Sequence, residues 1–317
     1  MERVGLEHEI SPGKDEPMNE FACEVRAGLI KLQKELPSKY LYDELGSALF
    51  DAITVLPEYG LTRADQRLLE RHAADLPREF SSIVEFGSGS GRKTRTILEA
   101  LSPEDYFPID LSSSALENCR QALARLTNVE PVEATYLNGL DRVPRNGTPL
   151  LVLFLGSTIG NFDSRCRADF LRQVRARLRP CDAMLIGFDL VKPLETMLDA
   201  YDDPSGVTAS FNLNLLGRIN RELGGDFNLR AFAHEARYHA TERRIEMHLR
   251  SRIDQTITVR EAKIECRFRA DETIWTESSH KFHAEEIPEI AHESGFESQS
   301  QWIDEEWPFA ENLWRAV

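Results

Sequence analysis

From Ile83 to Leu190 the chain alternates short apolar runs with amphipathic stretches, and this alternation limits the fold more than any other feature. Ile83–Phe86, Tyr106–Asp110, a weaker Val132–Tyr136, Leu150–Leu155 and Ala183–Leu190 read as strands. Leu150–Leu155 is apolar at every position, so both of its faces must be covered. Between the strands, Lys93–Leu101 and Ser113–Leu126 carry helical patterns. A third helix, capped by Asp163 or Ser164, sets Phe170, Val174 and Leu178 on one stripe. Such alternation predicts an α/β fold with a doubly wound parallel sheet wrapped by helices on both faces.

The flanks follow other rules. Phe21, Val25 and Leu29 stand at helical spacing, and Tyr40–Thr54 forms a second helical or irregular piece that ends at LPEYG. Thr62 is placed to cap a helix carrying Leu68, Leu69 and Leu76. After Lys192 the alternation stops. Leu194–Asp202 and Val207–Leu223 read as helices, the second closed by Gly224-Gly225. Period-two patterning follows: Ile245, Met247 and Leu249 face one way, and Glu246, His248 and Arg250 the other. Ile264, Cys266 and Phe268 repeat it, and Thr273–His280 adds a strand. This predicts an antiparallel sheet with one wet face, with His239 and His248 towards solvent. A helix at Ala284–Gly295 and strands near Phe296–Ile303 and Phe309–Val317 return to the parallel sheet. The expected division is a flexible leader (1–19), a first domain (61–195 plus 281–317) and a second α+β domain (20–60 plus 196–280).

Composition removes several function classes. The longest apolar run, PLLVLFLG at 149–156, is far short of the ~18 residues a membrane span needs. The N-terminus carries charges where a signal peptide needs an apolar core. Five cysteines, an odd count with no CxxC, argue against a disulfide framework or a zinc knuckle and for a reducing cytoplasm. A net charge of −15 repels phosphate backbones, which disfavours nucleic acid as a partner. His280 and His283 are three apart on an expected strand and point to opposite faces, so no metal site is expected.

The decisive short motif is VEFGSGSGRKTR, Val84–Arg95: a strand, a glycine turn and a helix. A dinucleotide fingerprint requires G-x-G-x-x-G, and here the third glycine comes one residue early. A P-loop requires four residues between its glycines, and that spacing also fails. What remains is acidic-x-G-x-G-x-G with Glu85, Gly87, Gly89 and Gly91, which looks like the first-strand turn of class I S-adenosylmethionine (SAM) methyltransferases. SAM has no phosphate, so glycines serve here by letting the backbone approach the cofactor's amino-acid part. Asp110, 19 positions past Gly91 at the end of the next strand, is placed to accept both ribose hydroxyls. Alone, the glycine turn is equally a tight strand–helix turn without a ligand.

Longer segments narrow the resemblance. LYDELGSALFDAITVLPEYGLTRAD (41–65), EFGSGSGRKTR (85–95), LVLFLGSTIGNF (151–162), DLVKP (189–193), AYDDPSGVTASFN (200–212), RIEMHL (244–249) and TESSHKF (276–282) together resemble the histidine Nα-methyltransferases of ergothioneine biosynthesis. The likeness runs through nearly all of the chain beyond residue 20. It implies a Rossmann-like SAM domain joined to a substrate-binding domain, and three methyl transfers to the α-amine of L-histidine, giving hercynine.

The resemblance also implies residue roles. Gly87, Ser88, Gly89, Lys93 and Asp110 fall where the family contacts SAM, with Asp110 on the ribose. Asn138-Gly139 stands where the family has an Asp followed by an aromatic residue near the adenine, and an Asn carbonyl there lacks charge assistance. Asn161 and Tyr201 match the residues holding the substrate carboxylate. Tyr59 matches a tyrosine near the imidazole, with Gly60 replacing a frequent second tyrosine and enlarging the pocket entrance. Glu277 and Ser279 match the pair on the imidazole nitrogens, and Met247 matches a pocket-wall methionine. Tyr42 matches a tyrosine close to the methyl-transfer centre. Apart from the resemblance, backbone carbonyls around Gly156, with Asn161 and Tyr42, are expected to orient the amine.

The chemistry asks for little more than these residues. Methyl transfer from a sulfonium is an in-line displacement by a neutral amine, and orientation with water excluded is worth on the order of 7–11 kcal/mol in good intramolecular models. A neutral imidazole offers one N–H and one lone pair. Glu277 and Ser279, two apart on a strand, share a face and supply an acceptor and a donor. The residues leave two other readings: the same chemistry on another amine such as a tryptophan derivative, and a SAM-binding protein without catalysis. A carboxylate buried against an indole would be poorly paired, which favours histidine. The chain is expected to act as a monomer on a small amino acid.

Overall fold

The computed structural model describes residues 18–145 and 147–317. The expected leader lies outside the described residues except for Met18 and Asn19. Asn19 belongs to the first helix, because its Oδ1 accepts from the Ala22 N–H at 2.8 Å and caps it.

The chain opens with α1 (Glu20–Leu29), the two-residue β1 (Lys34–Glu35) and α2 (Glu44–Ile53). After α3 (Leu61–His72) strands and helices alternate: β2 (Ser82–Phe86), α4 (Thr94–Leu101), β3 (Asp105–Asp110), α5 (Ser113–Leu123), β4 (Asn128–Val129), β5 (Val132–Glu133), α6 (Tyr136–Leu140), β6 (Leu150–Phe154), α7 (Ser164–Arg177) and β7 (Ala183–Asp189). Next come α8 (Leu194–Asp199), α9 (Val207–Leu223), β8 (Phe232–His239), β9 (Arg244–Ser251), β10 (Gln255–Val259), β11 (Ile264–Phe268) and β12 (Thr273–His280). The chain closes with α10 (Ile287–Glu293), β13 (Phe296–Asp304) and β14 (Phe309–Ala316).

The main sheet runs β13-β14-β7-β6-β2-β3-β4, with β5 also paired to β3. All its strands are parallel except β14, which is antiparallel to both neighbours. The last two strands thus return to the sheet as expected, but β14 makes it mixed. Its two faces are separately covered. Val84, Phe86, Val152 and Phe154 pack with Phe170, Leu171 and Val174 of α7, while Ile83, Leu151 and Leu153 pack with Ile97 and Leu98 of α4 and with Cys119 and Leu123 of α5. Two-sided burial is why β6 is apolar throughout.

A second sheet has the order β1-β12-β9-β8, and α9 packs against β8 and β9. β10 and β11 form their own hairpin instead of extending this sheet. The wet-face expectation fails at His248, which is only 3% exposed. β9 is the middle strand between β8 and β12, so cross-strand neighbours cover its second face. His248 stacks on Trp275 with ring centroids 6.4 Å apart and meets Glu246 Oε2 through Nε2 at 3.0 Å. His239 is exposed as expected.

Several boundaries also differ from the sequence reading. The strand at Val132 stops at Glu133, and Thr135, extended, leads into α6, so Asn138-Gly139 sits on a helix. Thr62 does not cap α3, which starts at Leu61 after Gly60 with no side-chain cap. Asp163 does cap α7, accepting from Cys166 N–H at 2.7 Å.

Candidate active site

The glycine turn lies at the C-terminal end of β2, where ligands bind in open α/β sheets. Gly87, Gly89 and Gly91 all have φ between 50° and 70°, a region that favours glycine. Gly91 additionally admits no side chain, since a Cβ would stand 2.6 Å from Leu123 Cδ1 and 2.8 Å from Cys119 Sγ. Above Gly89 there is open space, with nothing within 4 Å of an added Cβ. Ser88 beside it is buried. Glu85 sits beneath the turn and does not face a ligand. Its carboxylate accepts from Thr94 Oγ1 at 2.5 Å and from the Tyr106 hydroxyl, tying β2, β3 and the start of α4 together. Burial pushes Glu85 up to about 7 against these two hydrogen bonds.

Asp110 closes the opposite rim. Oδ1 accepts from Ser112 N–H at 2.9 Å and Oδ2 faces Gly89 N–H at 3.4 Å. Asn138 is exposed on α6. Gly139 packs beneath it, where a Cβ would stand 2.5 Å from Ile109 Cγ2. An aromatic side chain does not fit there, which accounts for the departure from the family pattern. Lys93 precedes α4, and its ammonium donates to Asp65 Oδ2 at 2.5 Å. The same ammonium lies 2.9 Å from where a Gly156 Cβ would be, which links the cofactor rim to the neighbouring cleft.

That cleft opens beside Gly156 and is lined from several distant parts of the chain. It brings together every residue expected at the amine and the substrate. Tyr42 follows a short 3₁₀ turn, Tyr59 precedes α3, and after β6 Gly156 comes before a 3₁₀ turn that ends at Asn161. Tyr201 follows α8, and Met247, Glu277 and Ser279 come from β9 and β12. Met247 and Glu277 are direct cross-strand partners. Gly60 does not widen the entrance: the Trp307 indole fills the space next to its Cα, and Gly60 is absent from the cleft wall.

The electrostatics separate the polar groups. Burial drives the phenols of Tyr42, Tyr59 and Tyr201 well above their ordinary range, so all three are neutral near pH 7. Burial also raises Glu277 to about 7, with Lys281 pulling the other way. Asn161 Nδ2 donates to Glu277 Oε1 at 3.3 Å. The Tyr201 hydroxyl donates to Ser279 Oγ at 2.7 Å, so its proton is committed inside the protein rather than presented to a ligand.

Three groups near the cleft escaped the sequence reading. Lys281 is fully buried and donates to Asp189, Tyr201 and Ser279. Tyr136 on α6 has its hydroxyl 3.2 Å from where a Gly87 Cβ would lie, so it faces the glycine turn. Trp307, in the turn joining β13 to β14, stacks under the Lys192 ammonium at 5.0 Å. The TESSHKF segment contained the signal for Lys281: two positions after Ser279 on a strand, it points to the same side.

Residues 21–316 match the family described as histidine-specific methyltransferase, SAM-dependent. The chain belongs to this family. Among relatives of this methyltransferase family, the histidine N-alpha-methyltransferase of Mycolicibacterium smegmatis is 39% identical over 299 residues, covering 92% of this chain and 93% of that protein. The Mycobacterium tuberculosis protein of the same name is 40% identical with the same coverage. In fold, the methyltransferase is similar to the PH0226 protein from Pyrococcus horikoshii OT3, with a TM-score of 0.50, 13% identity and coverage of 87% of this chain and 100% of that one. The family is SAM-dependent, and the site fits that cofactor: Gly89 leaves open space at the turn, and the Asp110 carboxylate stands 3.4 Å from its N–H.

Proposed function

We propose that this enzyme methylates the α-amine of L-histidine, in successive transfers, to Nα,Nα,Nα-trimethylhistidine (hercynine). The observation that carries the substrate is the cleft itself. An acid raised to about 7 and a hydroxyl stand two positions apart on β12, facing a space that opens beside Gly156. Family membership and the two relatives named histidine N-alpha-methyltransferase support the same reading.

In this reading Gly87, Ser88, Gly89, Asp110, Asn138 and Gly139 line the SAM pocket, with Lys93 bridging it to Gly156. Bound SAM supplies an electrophilic methyl group on a sulfonium. Glu277 accepts the imidazole N–H and Ser279 donates to the ring lone pair. Asn161 serves the substrate carboxylate and the amine. Tyr201 reaches the carboxylate only if its hydroxyl leaves Ser279. Tyr42 and Tyr59 are neutral phenols, so they orient the amine and exclude water and do not act as bases. The amine's proton leaves to solvent, and rate comes from alignment.

The cleft's lining favours histidine over an indole, because no indole atom would pair the half-buried Glu277 and the buried Ser279 together. We divide the chain into a SAM domain (61–195 plus 281–317) and a substrate domain (20–60 plus 196–280). The buried clusters support this, except that Leu61, Ala64, Leu68 and Phe309 pack with the substrate side. Among the described residues no helix is long and apolar enough to cross a membrane. The acidic charge of −15 and the absence of CxxC support a cytoplasmic monomer with no nucleic-acid partner.

The test is calorimetry with S-adenosylhomocysteine present, followed by mass spectrometry of the turnover product. Histidine and Nα,Nα-dimethylhistidine should bind and tryptophan should not. Binding of tryptophan alone would overturn the substrate.

A further inference from the structure

Behind the cleft wall lies a buried cation with no role in the reaction as read so far. The Lys281 side chain is 0% exposed. Its ammonium donates to Asp189 Oδ2 at 2.7 Å, to the Tyr201 hydroxyl at 2.9 Å and to Ser279 Oγ at 2.8 Å. An ammonium has three N–H donors and no acceptor, so all of its hydrogen-bonding capacity is used. Asp189 supplies the countercharge, and its other oxygen takes Lys192 Nζ at 2.6 Å. The cation is therefore fixed in place and direction.

The consequence falls on Ser279. Its oxygen accepts one hydrogen bond from Lys281 and one from Tyr201. The proton between the two hydroxyls belongs to the tyrosine, because a phenol is a stronger acid and a poorer acceptor than an aliphatic alcohol. The tyrosine oxygen in turn accepts from Lys281. A hydroxyl oxygen has two lone pairs, and both of those on Ser279 are filled from behind. Only the Ser279 proton remains, and the residue lines the cleft.

We propose that Lys281 is a positioning residue for specificity: by donating to both Ser279 and Tyr201, so that the Tyr201 proton fills the second acceptor site of Ser279, it makes Ser279 an obligate donor to the substrate ring. This inference rests on the reading that the cleft binds an imidazole. A ring presenting a lone pair to Ser279 is accepted. A ring presenting N–H or C–H at that point leaves the Ser279 proton unpaired and is rejected. With Glu277 as the acceptor at the other nitrogen, the wall reads the direction of a neutral imidazole, so one tautomer is bound in one orientation.

The test uses ring analogues that cannot accept. In 3-(pyrrol-2-yl)alanine and 3-(pyrrol-3-yl)alanine, one ring nitrogen of histidine is replaced by C–H and the other keeps its N–H. Dissociation constants for these and for histidine are measured by calorimetry with S-adenosylhomocysteine present. The unaltered protein should prefer histidine over the better pyrrole by on the order of 100-fold, as expected when a buried donor loses its partner. Lys281→Met and Ser279→Ala should each cut that preference to about tenfold or less, and the double variant should cut it no further, because one substitution acts through the other. Tyr201→Phe leaves the Lys281–Asp189 pair intact and empties one acceptor site on Ser279. It should also lower the preference, and it keeps the test decisive if Lys281→Met does not fold. A Lys281→Met or Tyr201→Phe protein that binds histidine more weakly but keeps the full preference would overturn this inference alone. Failure of the unaltered protein to bind histidine at all would overturn it together with the reading beneath it.

Discussion

The Trp307 indole occupies the space a side chain at residue 60 would need: a Cβ built on Gly60 stands 2.1 Å from Trp307 Cε3. Gly60 has an ordinary φ of −71°, so the constraint is packing and not backbone strain. Gly60→Ala should destabilise the protein by about 1–3 kcal/mol, the usual penalty of overpacking. Pairing it with Trp307→Ala should remove most of that penalty. Thermal or denaturant unfolding of the four proteins measures it, and additive effects would show that the two residues do not compete for space.

Glu277 sets a pH dependence. Its carboxyl titrates at about 7, raised by burial, so below that value it is largely protonated and accepts the imidazole N–H only as a neutral, weaker acceptor. Histidine affinity should therefore improve as pH rises through about 7. The slope of log Kd against pH below pH 6 should be steeper by about one proton than in Glu277→Gln, where only the substrate's ring, with an ordinary pKa of about 6.5, still titrates. The stability effect has the opposite sense. Between the ordinary carboxylate range and about 7 the folded chain holds a proton that the unfolded chain releases, so this contribution declines as pH rises across that window and is constant above it.

Asp110→Asn tests the cofactor rim. The amide keeps the shape but loses the charge offered to the ribose hydroxyls, so affinity for S-adenosylhomocysteine should fall by about 10–100-fold. Histidine affinity at saturating cofactor should stay within about threefold. Calorimetry reads both, and unchanged cofactor affinity would place the ribose elsewhere.

Tyr42→Phe separates alignment from proton transfer. The Tyr42 phenol is neutral near pH 7, and its ring is wedged edge-on against Phe50 and Phe211 with centroids 5.5 and 5.4 Å away. The variant keeps this packing, so kcat should fall by no more than about 100-fold with an unchanged pH profile. Complete loss of turnover would assign the hydroxyl a direct part in moving the proton.

Much of this was legible in the chain, for identifiable reasons. Local patterns gave the alternating strands and helices, because burial on both faces of β6 and one-sided burial of the helices leave periods a reader can count. Family likeness brought Tyr42, Asn161, Tyr201 and Glu277 to one cleft, though they come from distant parts of the chain. What stayed hidden depends on tertiary contact. His248 reads as a solvent-facing residue until β9 proves to be a middle strand. Gly60 reads as an opening until residue 307 arrives above it. The direction of the hydroxyls at Tyr201 and Ser279 depends on a lysine 80 positions from the first, and on an aspartate 92 positions from that lysine. β1, only two residues long, carries no period to detect.

The end of β12 is stitched to the main sheet. His280 Nδ1 meets the Gly160 carbonyl at 2.8 Å, Phe282 N–H donates to the Asp189 carbonyl at 3.0 Å, and Val191 N–H donates to the Phe282 carbonyl at 2.9 Å. The strand proposed to hold the acceptor thus continues without a linker into the sheet that carries the glycine turn. Splicing in a foreign acceptor half at this joint would sever that weld. New acceptors are then most readily reached by point changes inside the cleft, and a lineage built on this architecture should diversify by retuning its walls rather than by trading modules.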